Sequence, residues 1–243
     1  MVNPFRRLTG LFAVLVALLP AASRAEALLD VSVRVIILTG LEIPKDGRTL
    51  RSWVTEADVR RVVIPEVNRL WAPAGIRVTP ATIETRPSLA PPERAALVAG
   101  IAAAHRDADG ESDPARIDAY HRLIDFSGET PGVVTVVLVP YLGEDSQGNT
   151  RRKLRRVLVA QWTDKGRGAN GALRRFELAE PGPYRQGSLS RTVAHELGHV
   201  LGLDHPDKAS QTEFGLLMGG RKPGERLTAA EIARARRKAA RLD

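Results

Sequence analysis

The chain has 243 residues, 43% hydrophobic and 26% charged, a composition that excludes the disordered, collagenous and polytopic membrane classes and points to one globular domain. Cysteine is absent, which excludes disulfides and lipid attachment through a terminal cysteine. With 36 Lys+Arg against 28 Asp+Glu the formal charge is +8, too mild to argue for a nucleic-acid partner.

The opening segment MVNPFRRLTGLFAVLVALLPAASRAEA has a basic start at Arg6 and Arg7, an apolar run from Leu8 to Ala22, and small residues at Ser23 and Ala25. This pattern predicts a signal peptide, residues 1–25, cut after Ala25, and export to the periplasm or the extracellular space. The alternative is an uncleaved anchor, but an apolar run of about 15 residues falls short of the roughly 20 that a spanning helix needs. Cleavage removes Arg6, Arg7 and Arg24 and no acid, leaving 33 basic residues against 28 acidic and a mature charge of +5. Residues 26–243 are then expected to form a single domain, monomeric and without stable membrane insertion.

DVSVRVIILTG alternates Val31, Val33, Val35 and Ile37 against Ser32 and Arg34 and ends at Gly40, the pattern of a strand. TEADVRRVVIPEVNRLWAPAG places Val59, Val62, Val63, Val67, Leu70 and Trp71 at helical spacing behind Thr55 and Asp58, predicting a capped long helix with a kink at Pro65. GIRVTPATI is a short strand. Residues 84–131, alanine-rich and polar, read as one or two helices inserted between strands. GVVTVVLVPYLG is almost unbroken β-branched sequence, which suits a central strand buried on both faces. RRVLVAQW and ALRRFELAE predict two further strands around the turn DKGRGANG. RLTAAEIARARRKAARL starts with a capping box, Thr228 with Glu231, and continues as a terminal helix burying Ile232, Ala235, Ala239 and Leu242. Its Arg234, Arg237, Lys238 and Arg241 read as a solvated face that suits the helix C-terminal dipole.

Between the last strand and that helix, VAHELGHVLGLDH (193–205) carries three of the five histidines. On a helix His195 and His199 stand about 40° apart around the axis and about 6 Å apart along it, so both imidazoles can reach one ion. His205 on the same helix would lie about 15 Å along the axis, too far for a Zn–N bond of about 2.0–2.1 Å. Gly202 can adopt the left-handed conformation that ends a helix, after which Leu203, Asp204 and His205 fold back. Three imidazoles would then leave a fourth position for water, with Glu196, about 100° from His195, placed to take its proton.

At these residues the chain resembles the metzincins, zinc endopeptidases with the pattern HExxHxxGxxH and a downstream methionine turn. Here the pattern reads HELGHVLGLDH, and GLLMGG supplies Met218, thirteen residues after His205. The resemblance implies an α+β fold: a mixed, twisted five-stranded sheet with a long helix, an active-site helix and a C-terminal helix, and with residues 84–131 as an insertion. It also implies one catalytic zinc on His195, His199 and His205, Glu196 as general base and acid, and a protein or peptide substrate. By order along the chain, the substrate-pairing edge strand would be Arg155, Arg156, Val157, Leu158, Val159 and Ala160, although RRVLVAQW would equally suit an interior strand. Pro206 is similar to serralysins and HPDKAS through LLMGG to matrixins. The serralysin tyrosine after the methionine has no match in MGGRKPG, and the matrixin latency cysteine cannot exist here, so no subfamily is assigned.

HRDADGESD, residues 105–113, offers Asp107, Asp109 and Asp113 for calcium, or His105 with His121 for a second zinc, but completes neither pattern, so calcium is unsupported and a polar turn is expected. Two rivals to the endopeptidase remain: a zinc-holding module that binds peptides or cell-wall material without cutting, and an amidase acting on peptidoglycan peptides.

Overall fold

A computed structural model of the chain describes residues 27–103, 114–143, 146–164, 173–179, 188–206, 215–219 and 224–242. Its frame is a mixed five-stranded sheet. β1 (Leu29–Thr39) pairs in parallel with β4 (Ile76–Pro87) on one side and β5 (Val134–Val139) on the other; β5 pairs in parallel with β7 (Arg156–Ala160), and β7 pairs antiparallel with β6 (Gly148–Arg151). The spatial order is β4-β1-β5-β7-β6, with β5 at the centre as its β-branched run predicts. A two-stranded hairpin, β2 (Ile43–Lys45) with β3 (Arg48–Leu50), turns at Asp46 and Gly47, both at positive φ.

Parallel pairing of β1 with β4 requires a crossover, supplied by the long helix. Thr55 caps α1 (Glu56–Asp58) in a full capping box with Asp58, and the helix continues through a π-helical turn, Val59–Val63, into α2 (Ile64–Trp71). The predicted irregularity at Pro65 thus takes the form of a widened turn just before it. Proline has no N–H to bond the carbonyl four residues back, and its ring crowds that carbonyl.

The sheet is covered on both faces. On one, Val31, Val33, Val35 and Ile37 of β1 pack with Val59, Val63, Val67 and Trp71 and with α5 (Leu189–Val200) and α6 (Ala229–Ala239). On the other, Ile36 and Leu38 meet Val137, Val139 and Leu158 beneath α3 (Arg94–Ala103) and α4 (Pro114–Leu123), which contribute Ile101, Ile117, Tyr120 and Leu123. The inserted residues therefore form the roof of a second core layer. Among the described residues no helix is long and apolar enough to cross a membrane.

Two strand expectations need correction. ALRRFELAE does not join the main sheet: only β9 (Arg174–Arg175) pairs, with β8 (Trp162–Thr163). Arg155–Ala160 is not an edge: Arg155 takes a left-handed turn at φ 51°, and β7 is hydrogen-bonded on both sides, by β5 and by β6. Val157, Leu158, Val159 and Ala160 are all buried, and a strand apolar on both faces belongs inside a sheet. Among the described strands the edge on this side is the polar β6, which precedes β7 in the chain.

Candidate metal centre and its acid neighbour

α5 begins at Ser188, whose hydroxyl accepts from the Arg191 N–H at 3.2 Å, and 11 of its 12 residues are buried, all but His199. It ends in a Schellman motif: Leu203 N–H donates to Gly198 O at 2.9 Å, Gly202 N–H donates to His199 O at 3.1 Å, and Gly202 sits at φ 82°. The reversal brings His205 back over the helix. His205 Nε2 lies 3.1 Å from His195 Nε2 and 3.2 Å from His199 Nε2. Among the described residues this is the one group of three histidine, cysteine, aspartate or glutamate side chains whose ligand atoms fall within 4.8 Å of one another.

The far nitrogen of two rings is committed to the backbone. His195 Nδ1 lies 2.8 Å from Leu217 O and His199 Nδ1 2.9 Å from Leu203 O. A carbonyl only accepts, so both Nδ1 atoms carry the proton and both Nε2 atoms present lone pairs. Burial, the largest cause, holds His195 well below its ordinary pKa and His199 at about 4, so both rings are neutral near pH 7. At most one proton, on His205, can lie among the three converging nitrogens, so the remaining lone pairs face one another and favour a cation between them. Tetrahedral zinc with bonds of about 2.0–2.1 Å implies nitrogens about 3.3 Å apart, close to the separations here. The donor set therefore fits zinc.

Met218 is fully buried against α5, and a Cβ on Gly198 would come within 2.5 Å of its sulfur. Gly198 thus lets the Met218 turn close against α5 between the two helical histidines. Arg191, buried four residues before His195, binds that turn: its guanidinium donates to Gly224 O at 2.7 Å and Leu217 O at 2.9 Å. Leu217 is the carbonyl that orients His195. On the opposite side Arg152, just past β6, donates to Leu203 O at 2.7 Å and to Asp204 at 2.6 Å, tying down the loop that carries His205.

Glu196 is buried beside the cluster and faces β6. Its carboxylate accepts from Thr150 Oγ1 at 2.6 Å, and burial raises its pKa to about 7 against the opposing effects of that hydrogen bond and of Arg191. An acid poised near neutrality can take and return a proton.

The structure places His195, Glu196, His199, Gly202, His205 and Met218 near one another, while the strand residues 155–160 stand one strand back. Gly148, Thr150, Arg152 and Arg191 were not foreseen. The only hint was the spacing of Gly148 and Thr150, which shares one face of a strand. Residues 1–25 and Asp107, Asp109, Asp113 and His105 lie outside the described residues. His121 is half-buried, stacked on Phe126 with Nδ1 3.1 Å from an Arg156 nitrogen, and belongs to no metal cluster among the described residues.

No protein-family model and no curated protein matches the chain. Among solved structures it is similar to metalloproteinase-II from Bacteroides fragilis, at 17% identity and TM-score 0.41, over 88% of this chain and 55% of that one. It is also similar to a zinc-dependent peptidase from Methanocorpusculum labreanum, at 15% identity and TM-score 0.34, over 85% of this chain and 99% of that one. The chain thus spans little more than half the length of the Bacteroides protein.

Proposed function

We propose that the chain is an exported, metzincin-type zinc endopeptidase. The observation that carries this reading is the convergence of three imidazole Nε2 atoms, two with their tautomers set by backbone carbonyls, beside a buried carboxyl whose pKa is about 7. His195, His199 and His205 would hold the ion. Zinc held there supplies Lewis acidity, which acidifies water and stabilises negative charge developing on a carbonyl oxygen. Glu196 receives the proton of the attacking water and delivers it to the leaving nitrogen of the cleaved peptide. The outer edge of β6, unpaired among the described strands, supplies backbone groups on which an extended peptide adds as a further strand. A site that only stored zinc would usually fill its fourth position with a protein ligand and would not need the buried carboxyl.

Purified protein should be incubated with an unstructured polypeptide and, separately, with cell-wall fragments, with and without chelator. Chelator-sensitive cleavage of the polypeptide is the expected result. Cleavage confined to cell-wall fragments supports an amidase, and no cleavage of either supports a binding module. Export is tested by N-terminal sequencing of the secreted protein, which should begin at Glu26.

A further inference from the structure

We infer that Thr150 and Gly148 are positioning residues that together cradle the Glu196 carboxylate, an assignment that rests on the endopeptidase reading for its catalytic consequence. Thr150 Oγ1 lies 2.6 Å from Glu196 Oε2 and 3.0 Å from the carbonyl oxygen of the same residue. One hydroxyl therefore bridges the side chain of Glu196 to its own backbone and restrains its rotation. Gly148 lies two positions earlier on β6 and so projects from the same face. A Cβ built there would meet Glu196 Oε1 at 2.5 Å, Cγ at 2.6 Å and Cδ at 2.7 Å. Such contacts are too close for any side chain unless the carboxylate moves. Glycine inside a strand weakens it and marks a close approach; here the approaching group is the carboxylate.

The two observations are independent and complementary. Thr150 holds one carboxylate oxygen, and Gly148 leaves the volume in which the other must sit. β6 is kept in register by its antiparallel pairing with β7, so the cradle is anchored to the sheet and not to a loop. A proton-transfer group acts only when held within about 0.5 Å of its productive position. Loosening the cradle should therefore lower kcat while leaving KM and the metal untouched, because the Thr150 hydrogen bonds and the Gly148 close approaches are to Glu196 and not to a histidine of the cluster.

The test uses the full zinc-loaded chain carrying Thr150→Val, Thr150→Ser or Gly148→Ala. Loss of a hydrogen bond to a charged group should reduce kcat by about 10- to 100-fold in Thr150→Val at unchanged zinc content and near-constant KM. Thr150→Ser, which keeps the hydroxyl, should recover most of it, and Gly148→Ala should slow turnover by displacing the carboxylate. A readout independent of activity is a folding cycle with Glu196→Leu: Thr150→Val should shift the unfolding equilibrium about tenfold in the parent and by a smaller factor in the Glu196→Leu background, where only the bond to the residue 196 carbonyl is left to lose. Unchanged kcat in Thr150→Val, a serine variant as slow as the valine one, or equal folding effects in both backgrounds would overturn the assignment. If the parent cuts no peptide, the endopeptidase reading falls, and the folding cycle still decides whether Thr150 holds Glu196.

Discussion

The two elements that meet at Glu196 are built on opposite principles. The floor, α5, is buried along almost its whole length, and its functional side chains are fixed by groups around it: His195 by Leu217 O, His199 by Leu203 O, the whole Met218 turn by Arg191. The upper wall, β6, has four half-buried residues, no apolar periodicity and, among the described strands, a partner on one side only. On the proposed reading the floor holds the ion, and the wall is the edge on which a substrate backbone would add. Glu196 belongs to both: its backbone is in the floor, and its carboxylate is steadied by the wall.

If this division is right, substitutions in the floor should be severe and those on the wall graded. The largest effect is expected at Glu196. Glu196→Ala should retain zinc and lose about 10²- to 10⁴-fold in peptide cleavage, measured as kcat alongside metal content. Undiminished hydrolysis would remove Glu196 from the chemistry. Next is Arg191→Met, which removes the guanidinium bonds to the buried carbonyls of Gly224 and Leu217, the latter keeping its bond from His195, and should destabilise the fold by about 2–3 kcal/mol in denaturant unfolding. Weakened zinc affinity should accompany it, since Leu217 O orients His195.

Gly202→Ala tests the bend alone. A side chain in the left-handed region costs about 1–2 kcal/mol, so a modest fall in thermal stability is expected, with a larger loss of zinc affinity because His205 depends on that turn. The smallest effect is expected for Arg152→Gln, where wall meets floor. The Arg152–Asp204 pair is exposed on both sides and is worth little by itself, so stability should change by no more than about 1 kcal/mol. A drop as large as that of Arg191→Met would show that the wall is as rigid as the floor.

How much of this was legible beforehand follows the same division. The histidines were legible because metal ligation demands particular residue types at particular spacings, and Gly202 because only a break in the helix brings His205 back. The centre of the sheet was legible in Val134–Val139, since burial on both faces leaves no polar positions. β6 was not: an edge strand of four residues needs no hydrophobic alternation, and QGNTR has none. Its place was assigned to Arg155–Ala160, whose apolar residues on both faces already argued for the interior. ALRRFELAE alternates like a strand but finds only two paired positions. The inserted residues give no sign of a core layer in the sequence because Ile101, Ile117, Tyr120 and Leu123 are spread thinly among alanines and polar residues. They form a core layer only when folded together.

Above all, three imidazoles joined by one glycine bend are proposed to hold a single ion. Zinc titration of chelator-stripped protein, followed calorimetrically for the parent and for His205→Ala in parallel, tests this most directly. One tight site per chain in the parent and its loss in the variant is the predicted result. A variant that binds zinc as tightly as the parent, or a parent that binds none, would contradict it.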